Sequence, residues 1–300
     1  MYDALIVGGG PAGLSAALIL GRCRRRVLLC DAREPRNRFA RAMHGFLSRD
    51  GIDPKEFLQI ARYQLRAYDT VERRDIAVAE ARAAEGGFEA RLADGSTVAA
   101  RKILLATGVV DRLPDVQGAE ELYGTGVFHC PYCDGWERRD KRLAVYGNGK
   151  AGYGLALELT AWSRDIVLLT DGEPELGDEE NERLAKNGIA VRAEKILRIE
   201  GGEGGALRHV WLAGCETPLE RDALFFAAPT RQACDLAFSL GCAATEKGAV
   251  ETESYERTDV PGVFVAGDAS RNVQLVIVAA AEGAMAAFAI NTELLKEDLA

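Results

Sequence analysis

Ile6-Val7-Gly8-Gly9-Gly10-Pro11-Ala12-Gly13-Leu14 is the stretch on which the reading of this chain turns. It follows the apolar run Ala4–Val7 and opens a run from Leu14 to Leu20 made mostly of Ala, Leu and Ile. Counted from Gly8, the glycines spell G-x-G-x-x-G between a buried strand and a helix. That arrangement sets a helix N-terminus against the pyrophosphate of a dinucleotide. Gly8 permits the tight turn, Gly10 lets the backbone approach the phosphates, and Gly13 lets helix and strand pack closely. The next strand, Val27–Cys30, closes on Asp31, 23 residues after Gly8. An acid at this spacing meets a ribose hydroxyl. Glycines alone are a weak signal; strand, glycines, helix, strand and acid in order are a specific one.

The pattern returns. Arg142–Tyr146 reads as a strand, Gly147-Asn148-Gly149-Lys150-Ala151-Gly152 follows, and a helix runs from about Tyr153 to Trp162. Ile166–Thr170 is the next strand, and Asp171 lies 24 residues after Gly147. Gly147, Gly149, Gly152 and Asp171 therefore repeat the roles of the first unit for a second dinucleotide. Two dinucleotides in one chain imply that one hands electrons to the other.

Working outward, Ala106-Thr107-Gly108 ends a buried strand that starts at Lys102, and Val263–Ala266 ends in Gly267-Asp268 before a long helix from about Gln274 to Lys296. Strand ends beside helix starts form cofactor crevices. Asp53 reads as an N-cap with Pro54 at the first helical position. The segment Val71–Arg101 alternates as short strands around Glu85-Gly86-Gly87 and Asp94-Gly95. Borders near Pro114–Gly118 and Gly248–Glu253 enclose the second glycine unit. The expected fold is α/β: two Rossmann-like dinucleotide-binding domains of the three-layer ββα type, the second inserted into the first. The first spans 1–116 and 248–300, the insert 117–247, with two crossings able to act as a hinge.

Length and composition agree. The 300 residues are 48% hydrophobic and 28% charged, an ordinary globular balance that excludes a disordered or fibrous chain. A formal charge of −9 argues against nucleic acid or an anionic membrane as partner. The arginines at 22, 24, 25 and 26 read as solvated surface. The apolar run Leu275–Ala281 is broken by Glu282 and is too short to span a bilayer. No signal peptide is expected, since the residues before the first strand show no basic n-region or cleavage site, and seven scattered cysteines do not read as a secreted disulfide scaffold. The expected compartment is the cytoplasm.

Cys130-Pro131-Tyr132-Cys133 is the one close cysteine pair. C-x-x-C spacing closes a small disulfide and also supplies half of a zinc site. Zinc needs three or four ligands. His129 is adjacent, but there is no second C-x-x-C, and Cys234 and Cys242 are poorly spaced to complete one. Redox chemistry is the preferred reading over zinc or inert thiols, because the two nucleotide units supply electrons within the same chain. No metal site is expected.

Over essentially its whole length the chain resembles the low-molecular-weight thioredoxin reductase family. The resemblance rests on Gly8–Gly13, Ala106-Thr107-Gly108, Cys130–Cys133 with Asp134-Gly135, the second glycine motif, and Thr258–Asp268. It implies FAD on the first domain, NADH or NADPH on the second, a homodimer, and a large rotation between domains. Gly8, Gly10, Pro11, Ala12 and Gly13 would then cradle the FAD pyrophosphate and Asp31 its ribose. Thr107, Gly108, Gly267, Asp268 and Gln274 would line the flavin side. Cys133 would face the flavin, Cys130 would attack the substrate disulfide, and Asp134 would exchange the proton. The family's basic stretch for the 2′-phosphate of NADPH is replaced here by Thr170-Asp171-Gly172-Glu173-Pro174-Glu175, which favours NADH or signals a degenerate nicotinamide site.

Pro35-Arg36-Asn37, His44–Gly51 and Cys130–Cys133 followed by Gly135-Trp136-Glu137 also resemble a side branch that oxidises small-molecule dithiols. There His44 and His129 would serve as bases. The leading expectation is a disulfide oxidoreductase passing electrons through FAD and Cys130–Cys133 to a thioredoxin-like protein or small disulfide. The alternatives are a dithiol oxidase using O2, a member fed by a ferredoxin-type donor, and a non-enzymatic nucleotide sensor.

Overall fold

A computed structural model describes residues 1–227 and 229–300. The chain begins with β1 (Tyr2–Val7), α1 (Pro11–Arg22) and β2 (Val27–Cys30). It continues through α2 (Pro54–Leu65), β3 (Val71–Arg74), β4 (Val78–Ala84), β5 (Gly87–Leu92) and β6 (Thr97–Leu105). After β7 (Val109–Asp111) come β8 (Val127–Phe128), α3 (Pro131–Asp134), β9 (Leu143–Tyr146), α4 (Gly149–Glu158), β10 (Ile166–Leu169) and α5 (Asp178–Lys186). Next are β11 (Ala190–Arg192), β12 (Ile196–Gly201), β13 (Leu207–Leu212), β14 (Leu219–Glu220) and β15 (Ala223–Phe226). The chain closes with β16 (Thr230–Gln232), α6 (Leu236–Ser239), β17 (Val263–Val265) and α7 (Val276–Asp298).

Two compact units result. The first holds Met1–Arg38, Gly45–Val110 and Arg231–Ala300; the second holds Phe39–His44 and Asp111–Thr230. In the first, β3, β2, β1 and β6 lie side by side and parallel. Strand β6 is long enough to take two neighbours on its other edge. Its N-terminal half pairs antiparallel with β5, and Ile103–Leu105 pair parallel with β17. One strand thus joins the parallel nucleotide-binding sheet to an antiparallel β4–β5 hairpin, which is the ββα layering. The strands buried on both faces are near-continuous apolar runs, as parallel sheets require. Helices α1 and α7 cover one face, burying Leu14, Ala17, Leu20, Ala286, Ile290 and Leu294 in one cluster.

Helix α7 has 23 residues and is, by length and composition, apolar enough to cross a membrane. The sequence expectation of a short apolar run broken at Glu282 is therefore corrected. Glu282 is buried inside the helix and accepts the Gly267 N–H at 2.8 Å, so it interrupts nothing.

In the second unit β11, β10, β9, β15 and β8 form a parallel sheet, and β12–β14 form a separate antiparallel one. Its core includes Val145, Leu168 and Phe225. The borders differ from those read in the sequence. The return to the first unit falls at Arg231, not 248, because Leu236, Ala237, Cys242 and Val250 bury themselves against Leu5, Leu92 and Val265. Phe39–His44, read as part of the first domain, belongs to the second. Phe39 packs on Tyr123 with ring centroids 5.4 Å apart, and Arg41 donates to the Gly204 carbonyl at 2.6 Å.

Candidate functional site

The first glycine turn is built by contacts that no side chain could share. A methyl group at Gly8 would lie 2.2 Å from the Ala106 carbonyl oxygen, and one at Gly13 would lie 1.9 Å from the Gly8 carbonyl oxygen. Gly8 also has φ +109°, a region that favours glycine. Gly10 is different: nothing lies within 4 Å of a methyl placed there. Pro11 opens α1, where its missing N–H costs nothing. No side chain caps α1, and its first turn carries no acid. The amides of this helix end are thus open to an anion, and the residues present fit the pyrophosphate of FAD.

Around that turn the expected residues gather. Asp31 is buried directly under Gly9, where an added methyl would meet its carboxylate at 2.3 Å. Its Oδ1 accepts the Arg33 N–H at 2.8 Å and its Oδ2 accepts from Arg62 at 3.0 Å. Thr107 and Gly108 follow β6, with Gly108 at φ +67° accepting the Ala233 N–H at 3.1 Å. Ala12 is pressed by both glycines near the C-terminal helix. A methyl on Gly267 would come 3.2 Å from its Cβ, and one on Gly283 would come 1.9 Å from its carbonyl oxygen.

Asp268 and Gln274 share one partner. Arg36 donates to Asp268 Oδ2 at 2.9 Å and to Gln274 Oε1 at 2.7 Å. Arg36 was visible in the sequence only as part of Pro35-Arg36-Asn37 and received no role there. The sequence offers Glu282 only as a break in an apolar run and gives Glu256 no role. Arg271 donates to Glu282 Oε1 at 2.5 Å and to Glu256 Oε1 at 2.8 Å. Burial raises the Glu256 carboxyl above its ordinary range, with Arg271 acting against it. Together these groups brace the strand end that presents Gly267 and Asp268.

The cysteine pair lies in the second unit, joined as a disulfide across a Cα–Cα distance of 5.3 Å. Cys130 caps α3, its Sγ accepting the Cys133 N–H at 3.1 Å. Burial pushes the Asp134 carboxyl up to about 6; Arg138 pulls it down, Glu137 pushes it up and His44 pulls it down. His44 Nε2 stands 3.6 Å from Glu137 Oε1, so the segment Phe39–His44 brings this histidine to the cysteine-bearing unit. His129 turns the other way. Its Nδ1 lies 3.0 Å from the Tyr123 hydroxyl, which donates to Asp111 Oδ2 at 2.7 Å. Tyr132, between the two cysteines, and Trp136, three residues after Cys133, are 69% and 65% exposed. The other cysteines take no part; burial pushes the Cys30 thiol up to about 11, as for an inert core residue.

The second glycine turn has the same steric logic at one position. A methyl on Gly152 would meet the Gly147 carbonyl oxygen at 2.4 Å. Helix α4 starts at Gly149, earlier than the sequence suggests. Here, though, the helix end is engaged. Asn148 Oδ1 accepts the N–H groups of Gly149 and Glu175, each at 2.8 Å, and Asn148 Nδ2 donates to the Glu173 carbonyl at 2.9 Å. Asp171, at φ +53°, accepts the Ile196 N–H on its Oδ1 at 2.6 Å. These residues do not offer a nicotinamide dinucleotide the bare seat that the first turn offers FAD.

Comparison with known proteins places this geometry. The family described as pyridine nucleotide-disulphide oxidoreductase matches residues 2–283. The chain is 33% identical over 309 residues to the thioredoxin reductase tcpT of Claviceps purpurea, covering 99% of this chain and 95% of that one. Among solved structures it is similar to a protein put forward as the thioredoxin reductase TrxB of Bacillus anthracis. That match has a TM-score of 0.93 and 32% identity, over 99% of this chain and 100% of the other. It is also similar to an oxidoreductase of Agrobacterium tumefaciens, with a TM-score of 0.91 and 35% identity over 98% of both chains.

Proposed function

Since the chain belongs to the pyridine nucleotide-disulphide oxidoreductase family, as a thioredoxin reductase-like flavoprotein using FAD and a nicotinamide dinucleotide, we propose that Cys130 and Cys133 exchange electrons with the disulfide of a thioredoxin-like protein. The observation that carries this reading is the Cys130–Cys133 disulfide with the Asp134 carboxyl beside it, pushed up to about 6. FAD held in the first unit would, once reduced by the nicotinamide dinucleotide, carry the electron pair needed to open the disulfide. Gly8, Gly10, Pro11, Ala12, Gly13 and Asp31 would hold its dinucleotide half. Thr107, Gly108, Gly267, Asp268 and Gln274, with Arg36, would hold the flavin side.

The reduced pair then acts by thiol–disulfide exchange. The Cys130 thiolate attacks one sulfur of the substrate, forming a mixed disulfide and breaking the substrate S–S bond. Asp134 gives its proton to the departing thiolate, and a carboxyl near 6 is matched to that task at neutral pH. Cys133 next attacks Cys130, releases the second substrate thiol and restores the pair. His44 is a positioning residue for this acid through Glu137, 3.6 Å from its Nε2. His129 is held by Tyr123 as the residue leading into Cys130.

The exposed Tyr132 and Trp136 support docking of a folded protein partner beside the pair. The exposed apolar face of Val273, Met285 and Phe288, with Tyr255 stacked 5.9 Å from Phe288, supports a homodimer. The acidic charge speaks against nucleic acid or a membrane surface as partner, and a pair that cycles between dithiol and disulfide suits a reducing cytoplasm.

The test uses the purified yellow protein reduced anaerobically by dithionite, then mixed with oxidised bacterial thioredoxin. Thioredoxin thiols should appear as the flavin reoxidises, and C130S should abolish them while FAD stays bound. Transfer that persists in C130S would overturn the reading.

A further inference from the structure

The two glycine turns differ in what stands on them, and the second is covered by its own chain. A methyl built on Gly149 would lie 3.4 Å from the Glu175 carboxylate oxygen, 3.7 Å from its Cβ and 3.7 Å from its carbonyl oxygen. The carboxylate alone could swing away. The backbone behind it cannot follow, because Asn148 clamps the segment at Glu175 N and at the Glu173 carbonyl. The same Asn148 already takes the Gly149 N–H, one of the amides that a pyrophosphate would use. No lysine or arginine lies between Asp171 and Glu180, so nothing in that loop offsets the charge.

We propose that Glu175 limits nucleotide affinity at the second glycine turn. Its carboxylate stands where the second cradle would receive a nicotinamide dinucleotide and weakens binding of both NAD and NADP forms. The lack of a cation for a 2′-phosphate adds to this for NADP. The inference rests on the flavoprotein reading for the identity of the ligand, not for any electron transfer.

The experiment is therefore a binding measurement. FAD-loaded wild type, E175Q, E175A and E173Q are titrated calorimetrically with NAD⁺ and with NADP⁺, neither of which reduces the flavin. E175Q and E175A should both tighten NAD⁺ by about tenfold or more, the scale of removing one partly screened like charge. E173Q, which removes a neighbouring carboxylate that does not stand over Gly149, should change binding by less than about twofold. Equal affinities across the series would overturn the proposal. So would tightening in E175A alone, or an E173Q effect as large as that of E175Q. Thioredoxin reduction after dithionite is measured on the same samples, so failure of disulfide exchange is seen separately from failure here.

Discussion

The chain carries the same glycine grammar twice and uses it in two ways. At the first turn Gly10 faces open space, α1 has no side-chain cap, and its first turn has no acid. At the second, Asn148 caps α4 and holds Glu175 against Gly149. The glycines themselves do not make this difference. Gly13 and Gly152 are both wedged against the carbonyl of the turn's first glycine, at 1.9 and 2.4 Å from an added methyl. The difference comes from the residues after the next strand. In the first unit Asp31 tucks under Gly9 and leaves the helix end bare. In the second, Asp171 turns to Ile196 and the loop after it folds back over the helix end. A glycine motif specifies where a phosphate can sit; the loop some 25 residues later decides whether the seat is free.

The harshest way to break the comparison is to fill both turns. Gly13→Ala drives a methyl into backbone, which cannot yield as a side-chain tip can. It should abolish FAD loading, seen as colourless purified protein. Gly152→Ala meets backbone equally but lies in the other unit, so the protein should stay yellow. Loss of FAD from Gly152→Ala would mean that the two turns are not independent. Next in size is Glu282→Ala. It frees the Gly267 N–H and takes one of two carboxylates from Arg271. Glu282 is buried but Arg271 is about one-third exposed, so solvent screening keeps the loss below the ~3–5 kcal/mol of breaking a fully buried pair. FAD retention on dilution should fall sharply, while Cys130–Cys133 stays oxidisable in the second unit.

Much of the first site was legible because its parts are local. Gly8–Gly13, the flanking strands and Asp31 lie within one βαβ unit, where periodicity and spacing carry the information. Asp268 was legible as a strand end beside a helix start, but its place by the flavin, like that of Gln274, came only through resemblance. What escaped were contacts made over long chain separations. Arg36 reaches Asp268, Arg62 reaches Asp31, and Glu282, which in the sequence only interrupts an apolar run, reaches back to Gly267 from inside a helix. The sequence breaks β6 at Lys102, with short strands up to Arg101 and a buried strand from there on; it is one strand, Thr97–Leu105, and it serves two neighbours on one edge, which no linear pattern announces. Phe39–His44 carries nothing in its composition to assign it to the second unit; its place follows from Phe39 against Tyr123 and Arg41 on Gly204. The clamp on the second turn was hinted at by the acids of Thr170–Glu175. Its hydrogen bonds through Asn148 depend on folding and could not be read in advance.

The units also treat carboxyl groups differently, and pH sharpens that contrast. Glu282 is paired with Arg271, whereas burial lifts Asp134 to about 6. As the proton donor of exchange, Asp134 should make wild type outpace Asp134→Asn by about 10²-fold below pH 6, with the gap narrowing as pH rises through 6. Stability runs the other way from a salt-bridged acid. The folded-state value lies above the unfolded value, so wild type loses stability between about pH 4 and about pH 6 and regains none above. Asp134→Asn should therefore melt a few degrees higher than wild type at neutral pH and alike below about pH 4. An unchanged exchange rate across pH in Asp134→Asn would remove it from the chemistry.

The smallest change makes the second turn resemble the first. Asn148→Ala deletes the cap of α4 and both ties to the Glu173–Glu175 segment, leaving a helix end as uncapped as that of α1. Loss of an N-cap costs about 1 kcal/mol, so thermal melting should fall by several degrees at most and the protein should remain yellow. The released loop no longer fixes Glu175 over Gly149, but its charge remains nearby. Nucleotide binding should accordingly tighten less than in Glu175→Gln. That ordering separates the clamp from the charge it carries. If Asn148→Ala binds NAD⁺ more tightly than Glu175→Gln does, the blocked Gly149 amide governs the second seat and the carboxylate is secondary.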